Sequence, residues 1–321
     1  MIDVVILGGG AAGLFCAAFA ASTGKRVLVL EHNDRPGKKI RISGGGRCNF
    51  TNRDVSHRNM VSANPDFARS ALARYTPSDF VALVERHGIA WHEKTLGQLF
   101  CDGSAQQIID MLLAECAAVG VDVRMRTAVR HVSHADHFTI VTDNGDLHTR
   151  SLVVATGGLS IPTLGATDIG YRIAKHFDLR IVPTAPGLVP LTLDPRSLTR
   201  WKGLAGVSLD AVANAHGASF RENILFTHRG LSGPAILQIS SYIDPGATIR
   251  LDVLPGLTLS DLVTELPSEK RHLATILAQH VPARFVDGWE NDDLHRPVNT
   301  VPKARLEALL TAMHTWDVPI H

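Results

Sequence analysis

The apolar positions change period early in the chain. Ile2 to Leu7 is an apolar run rich in β-branched side chains, broken only by Asp3. Such a run predicts a strand buried on both faces, as in a parallel sheet. Leu14, Ala17, Ala18 and Ala21 then recur at i, i+3, i+4 and i+7, one face of a helix that Gly24 ends. Val27 to Leu30 predicts a second buried strand, closed by Glu31. Between strand and helix stands Gly8-Gly9-Gly10-Ala11-Ala12-Gly13, a match to G-x-G-x-x-G. Gly8 permits the tight turn, Gly10 lets backbone approach a pyrophosphate, and Gly13 lets helix and strand pack closely. The helix N-terminus offers free N–H groups and a positive dipole end to phosphates. Glu31 is placed to take a ribose hydroxyl pair, and its charge opposes the 2′-phosphate of NADP. The order strand, glycines, helix, strand and terminal Glu predicts a dinucleotide site.

Further along, Thr76-Pro77-Ser78-Asp79 predicts a helix start, with Thr76 as N-cap, Pro77 at N1 and Asp79 at N3. Phe80, Leu83, Val84 and His87 share its face. Ile108, Met111, Leu112 and Val119 predict another helix from Ser104 to about Val119. Both are expected to cap the first domain, over residues 66–119. Val121 to Arg126 predicts a strand. Phe138 to Thr142 and Leu147 to Arg150 predict a hairpin around Asp143-Asn144-Gly145-Asp146, which holds an Asn-Gly pair. Leu152 begins a further short strand. Pro183, Pro186 and Pro190 mark a boundary, giving domains 1–182 and 183–321. The second reads as β-rich over 191–254 and helical over 259–314, through Leu259, Leu262, Leu266, Leu273, Ile276 and Leu277, then Leu306, Leu309, Leu310 and Met313.

Composition narrows the classes. At 45% hydrophobic and 20% charged over 321 residues, the chain suits a soluble globular protein of two domains. Net charge is +1, so no global field pulls it to nucleic acid or acidic lipid. Asp3 and the glycines interrupt the apolar N-terminus, which excludes a signal peptide or membrane helix there. No C-x-x-C joins Cys16, Cys48, Cys101 and Cys116, and reduced thiols in the cytoplasm are expected. Cys16 reads as core. His131, His134 and His137 alternate faces on a strand and do not converge on a metal. Gly230-Leu231-Ser232-Gly233-Pro234 fails the G-x-S-x-G elbow at Pro234. Ser232 reads instead as the cap of a helix starting near Pro234.

The segment after Glu31 separates two cofactors. Asp34 to Asn52 is glycine-rich, polar and basic, with Lys38, Lys39, Arg41 and Arg47. Simple NAD dehydrogenases usually enter a helix here, whereas FAD proteins often run such a loop along the pyrophosphate toward the isoalloxazine. Ala155-Thr156-Gly157-Gly158, ending the strand after the hairpin, suits the turn that lies beneath FAD.

With these blocks the chain resembles the HI0933/YhiN-like (BaiN-type, aminoacetone-oxidase-like) FAD-dependent oxidoreductases. The residues that carry the likeness are the Gly8–Gly13 loop, Ser43 to Asn52 (SGGGRCNFTN), Ala155 to Pro162 and Phe226 to Pro234 (FTHRGLSGP). It extends to about His314. The resemblance implies an α/β fold: a Rossmann-like FAD-binding domain, a parallel sheet with a β-hairpin crossover, plus an inserted β-barrel-like and helical domain. It implies FAD contacts from Gly8, Gly10, Ala11, Ala12, Gly13, Glu31, Lys39, Gly46, Arg47, Cys48, Asn49, Val129, Ala155, Thr156, Gly157 and Gly158, with Val129 meeting the adenine through its backbone. The family pattern also closes over the flavin with a C-terminal Gly-Glu segment. No Gly-Glu pair occurs in the second half, and the one Gly-Asp is Gly145-Asp146 in the hairpin. The chain is therefore expected to lack the C-terminal return to the FAD domain and to hold FAD weakly or not at all.

The leading expectation is an FAD-dependent oxidoreductase reducing an activated carbon–carbon double bond in a small molecule or nucleobase. NAD(P)H would dock transiently as electron donor, since no second G-x-G-x-x-G occurs. Arg47 and Asn49 are the expected flavin contacts, and Thr227, His228 and Arg229 are candidates to face a substrate. One alternative is an rRNA uridine reductase, whose cue is the basic set Lys38, Lys39, Arg41 and Arg47 beside the flavin mouth. The other is a catalytically inactive, truncated FAD-fold protein. Substrate, oligomeric state and a general acid are not readable from the sequence.

Overall fold

The first strand, β1 (Ile2–Leu7), is apolar apart from Asp3, and Val5, Ile6 and Leu7 are buried because both faces are covered there. Ile6 packs with Leu14 and Ala17 of helix α1 (Ala11–Ala21), while Val5 and Leu7 join Leu28, Leu30 and Ile140 on the opposite face. Strand β2 (Val27–Leu30) divides in the same way and is buried at all four positions. Two-sided burial removes the polar alternation that a half-exposed strand needs. In this computed structural model residues 2–258, 260 and 270–321 are described.

The chain forms two units, Met1–Pro183 and Thr184–His321. In the first, the basic segment after Glu31 is not an open loop. It forms a short helix α2 (Lys38–Ile42), a glycine turn, and strand β3 (Asn49–Asn52). A helix α3 (Arg69–Arg74) precedes α4 (Pro77–Arg86), which starts on the expected capping box. The Asp79 amide donates to Thr76 Oγ1 (3.3 Å), and the Thr76 amide donates to Asp79 Oδ2 (2.7 Å). Strands β4 (Trp91–Glu93) and β5 (Gln98–Cys101) pair antiparallel with each other, and β5 with β3, so the stretch expected to be a helical cap is partly a three-stranded sheet. Helix α5 (Gln106–Ala118) packs on α1, with Cys116 Sγ donating to the Leu14 carbonyl (3.3 Å). Val119 caps its end, exposed, and is not on the buried face.

The main sheet continues through β6 (Asp122–Arg124), β7 (Val129–His134), β8 (Phe138–Thr142) and β9 (Gly145–Val154), in the order β6-β2-β1-β9-β8-β7. The two strands expected at Leu147 and Leu152 are one. Its first half pairs antiparallel with β8, its second half parallel with β1. Thr149 sits at the change of partner, fully buried, and its Oγ1 donates to the Ile2 carbonyl (3.2 Å). The polar Arg150-Ser151 pair reads as a break in sequence, but the ladder runs through it. The hairpin turn centres on Asp143-Asn144, and Gly145 takes the left-handed φ of 107°. Helix α6 (Ile169–His176) follows and covers the second face through Ile173.

The second unit is a six-stranded antiparallel sheet of β10 (Leu191–Thr192), β11 (Ser208–Ala215), β12 (Ala218–Thr227), β13 (Gly230–Ser232), β14 (Thr248–Asp252) and β15 (Trp316–Pro319). The edges meet: Leu193 bridges Ile320, and the His321 amide donates to the Thr192 carbonyl (3.0 Å). This contact brings the two ends of the sheet together. The closing strand lies beyond the expected helical end at His314; it is four residues long and ends in proline, too short a signal for periodicity. The β-rich part also contains helices α7 (Pro195–Trp201) and α8 (Pro234–Ile239). Ser232 does not cap α8. It lies in β13, and Gly233 (φ 93°) makes the turn into the helix without a side-chain cap. Leu273–Leu277, Ala283–Asp287 and Lys303–His314 are helical, while Leu259, Leu262 and Leu266 lie outside the described residues. Trp201, Phe226, Phe285, Trp289 and Trp316 form the aromatic centre of this core.

Candidate cofactor cleft

At the carboxyl ends of β1, β2 and β9 the first unit opens into a cleft of about 340 Å³. This is the place where open α/β sheets bind ligands. Its floor is the glycine loop. A Cβ on Gly13 would strike the Gly8 carbonyl oxygen, so this glycine lets α1 lie against the loop. A Cβ on Gly10 would meet nothing within 4 Å, so the backbone there faces open space. Helix α1 has no side-chain cap and no acidic residue in its first turn. Its leading N–H groups, those of Gly10, Ala11 and Ala12 among them, line the cleft and suit an anion.

Glu31 stands at the end of β2, 7% exposed. Its Oε2 accepts from the Gly9 amide (2.8 Å), and Oε1 accepts from the Asn33 amide (2.9 Å) and Asn33 Nδ2 (2.8 Å). The carboxylate is thus oriented by the loop it serves. Ala155, Thr156 and Gly157 form the opposite wall. Lys39 Nζ spans the mouth, donating to the Gly158 carbonyl (3.2 Å) and Ser160 Oγ (3.0 Å).

A second cavity of about 530 Å³ adjoins the cleft and shares Ala11, Ala12, Lys39 and Ile40 with it. Its lining is richer in large side chains: Phe15, Phe50, Tyr75, Phe80, Ile108 and Leu112 make it apolar, with the Phe15 and Tyr75 rings edge-on at 4.8 Å. Cys48 and Asn49 stand on its wall. Cys48 is buried with a left-handed φ of 50°, an uncommon conformation for a residue with a Cβ. Burial pushes its thiol pKa up, with a smaller opposing effect from a Ser43 hydrogen bond. Burial also raises Tyr75, and pushes Cys101 up to about 11. All three therefore carry their protons at neutral pH. Native protein at pH 7.5 is expected to react slowly with a thiol reagent at Cys48, Cys101 and Cys116, and rapidly at all four cysteines once unfolded. Rapid labelling of Cys48 in the folded state, read by peptide mass spectrometry, would show a thiolate and contradict this.

Three expected contacts stand elsewhere. Val129 pairs with Thr142 at the start of β7 and packs into the core on the far face of the sheet. The backbone beside Glu31 belongs to Arg126 and Thr127, whose amides donate to the Asn33 and Glu31 carbonyls (2.9 and 3.0 Å). Gly46 and Arg47 line neither cavity; their carbonyls accept from the Ala105 and Cys101 amides (2.7 and 2.9 Å), which pins the turn that presents Cys48 and Asn49. In the second unit, Thr227 Oγ1 accepts from the Arg229 and Gly230 amides (3.2 and 3.1 Å) and so closes a turn. Sequence reasoning missed His32, which bonds the Gly165 carbonyl through Nε2 (2.8 Å), and Leu164, which joins Gly165 in the cleft wall. Gly165 takes a left-handed φ of 90°, and a glycine at that place was the available signal in the sequence.

Among the described residues no group of three or more His, Cys, Asp or Glu is placed to hold a metal, and no helix is long and apolar enough to cross a membrane. Comparison with known proteins gives two family matches: the HI0933-like protein Rossmann domain over residues 2–228, and the HI0933-like protein barrel and H2TH domain over residues 185–321. The ribosomal RNA dihydrouridine synthase of Escherichia coli K12 is 50% identical, over 98% of this chain and 80% of that protein. The Haemophilus influenzae protein of the same name is 41% identical over the same shares. The 3-dehydro-bile acid delta(4,6)-reductase of Clostridium scindens is 29% identical, over 82% of this chain and 67% of that one.

Proposed function

The chain belongs to the HI0933-like family of flavin-dependent oxidoreductases, and on that premise we propose that it holds FAD in this cleft and reduces a uridine of ribosomal RNA to dihydrouridine. The observation that carries the reading is the 50% identity to a ribosomal RNA dihydrouridine synthase, sustained over nearly the whole chain. It brings forward the RNA reading, which the sequence alone ranked behind a small-molecule substrate.

The residues present fit FAD. Gly10 leaves the cradle open, the uncapped start of α1 offers N–H groups to a pyrophosphate, and Glu31 holds acceptor oxygens at the end of β2. Gly8, Ala11, Ala12, Lys39, Ala155, Thr156 and Gly157 would complete the cofactor's surroundings, and Gly13 and Gly158 would support them. When bound, FAD supplies hydride chemistry for an activated double bond. The chain's own part is to exclude water and to keep protons in place. Aromatic walls around a largely apolar space keep polar side reactions out. Saturating a carbon–carbon double bond needs one proton as well as one hydride. Cys48 and Tyr75 both line the apolar cavity and both hold their protons at neutral pH. NAD(P)H is the proposed electron source, docking transiently.

A second reading has a specific support: the bile-acid reductase relative also acts, by its name, on a small molecule. One experiment separates the two. The flavin-loaded protein is incubated with NAD(P)H and either ribosomal RNA transcribed in vitro or a conjugated steroid enone. The RNA is then digested and its nucleosides are weighed. Dihydrouridine is expected, two hydrogens heavier than uridine. Reduction of the enone with RNA left unchanged would overturn the RNA reading.

A further inference from the structure

A uridine stacked in folded RNA cannot present its ring to a cavity walled by side chains; it must be turned out of the stack first. Its neighbours then lie at the mouth, with their phosphates and unstacked faces uncovered. The mouth of the apolar cavity has an element suited to them. Val55 and Leu72, at the two ends of one segment, both line that cavity. Between them every residue from Arg58 to Phe67 is exposed. The arm is ordered locally: the Ser56 amide donates to Asn59 Oδ1 (2.7 Å), and Pro65 opens a short helical turn.

The arm's surface is unusual for a solvated loop. Phe67 is 84% exposed, and Met60 and Val61 are exposed beside it in the chain. Folding gains nothing from a phenylalanine held in water. Among the cations, Arg58 makes no ion pair among the described residues, and Arg69 has only a 3.9 Å contact to Asp66, which His57 also approaches. Overall net charge is +1, so exposed arginines next to an exposed ring are a local feature and not part of a general basic surface. Arginine beside an aromatic ring suits single-stranded nucleic acid: the cation takes phosphate, and the ring takes any base face.

We propose that the arm 55–72 is the RNA-docking rim of the cavity, with Arg58 and Arg69 on phosphates and Phe67 stacked on a base flanking the uridine that enters. This rests on the RNA reading of the preceding subsection. The test uses the full flavin-loaded chain and a labelled fragment of ribosomal RNA, with binding read by anisotropy across a salt series. The Arg58→Ala/Arg69→Ala double variant is expected to bind more weakly and to flatten the slope of log affinity against log salt by roughly 1 to 2. Phe67→Ala is expected to bind about 5- to 100-fold more weakly with the slope unchanged, the range of one lost base–aromatic stack. Flavin content, compared with that of the wild-type chain, reports whether each variant is folded. Wild-type binding that both variants retain in full would overturn the rim and leave the RNA reading standing. A wild-type chain that neither binds RNA nor forms dihydrouridine would overturn both.

Discussion

Gly13→Ala is expected to destabilise the first unit by about 3 kcal/mol or more and to abolish flavin retention. The new methyl would collide with the Gly8 carbonyl oxygen, and it would sit 3.1 Å from that carbonyl's carbon and 3.5 Å from the Ala155 Cβ. Two of these are backbone atoms with no rotamer to escape into. Helix α1 would have to lift from the loop, loosening Leu14 and Ala17, which are fully buried against β1 and β2. Against a typical total of roughly 5–15 kcal/mol this is a large share. The companion Gly10→Ala separates fold from cofactor. Its methyl meets nothing within 4 Å and its φ is −86°, so the melting temperature should hold. The same methyl would occupy the cradle, so flavin affinity should fall. Thermal unfolding, with flavin absorbance measured on each sample, checks both. A Gly13→Ala protein that melts with the wild type would refute the packing account.

These glycines also mark how far the chain was legible. From Ile2 to Glu31 the sequence reading and the structure coincide almost residue for residue, because one buried strand, one turn and one helix are specified by neighbours in the chain. Val129 shows where that ends. Its strand is real, but which backbone group lies beside Glu31 depends on a register between β6, β7 and the loop after β2, set by contacts from distant segments. Ser232 illustrates a local conflict: a capping residue two places before Pro234 is persuasive, yet β13 uses it as a ladder residue, and glycine's freedom at 233 makes the turn. The apolar cavity was the least legible part. Phe15, Phe50, Tyr75, Phe80 and Ile108 come from five elements or connections, and each reads as ordinary core within its own periodicity. Only folding brings them to the same space beside Cys48.

The juxtaposition of a glycine-floored cleft and an aromatic-walled cavity has a chemical consequence. Phosphates and ribose need charge, N–H groups and water nearby, whereas a reacting ring needs a dry wall. Ala11, Ala12, Lys39 and Ile40 separate the two regions, at the start of α1 and within α2. The α2 helix, which the glycine-rich composition of its surroundings concealed, is thus the divider. Its two lysines diverge: Lys38 Nζ donates to Asn33 Oδ1 (2.8 Å) on the Glu31 side, while Lys39 reaches across the mouth.

Glu31→Gln is expected to weaken flavin binding about 10- to 100-fold and to cost about 1–3 kcal/mol of stability, for one physical reason. The carboxylate accepts on both oxygens, from the Gly9 amide on Oε2 and from Asn33 on Oε1. A carboxamide keeps one acceptor and replaces the other with a donor. In either orientation an N–H group faces an N–H group in a buried site, so either Gly9 or Asn33 loses its partner. If Gly9 loses it, the glycine loop is released at the point where the phosphates would rest. If Asn33 loses it, the amide that precedes Lys38 in the network is freed. Either way the negative charge that would accept from ribose hydroxyls is gone, and charge-assisted bonds are the stronger kind. Flavin titration by fluorescence quenching and thermal unfolding measure the two effects separately and need no turnover. Glu31→Asp keeps the charge but is one methylene shorter, so it should lose the Gly9 bond and fall between the two. A Glu31→Gln protein that binds flavin as tightly as the wild type would reduce Glu31 to a turn residue and move the ribose site elsewhere in the cleft.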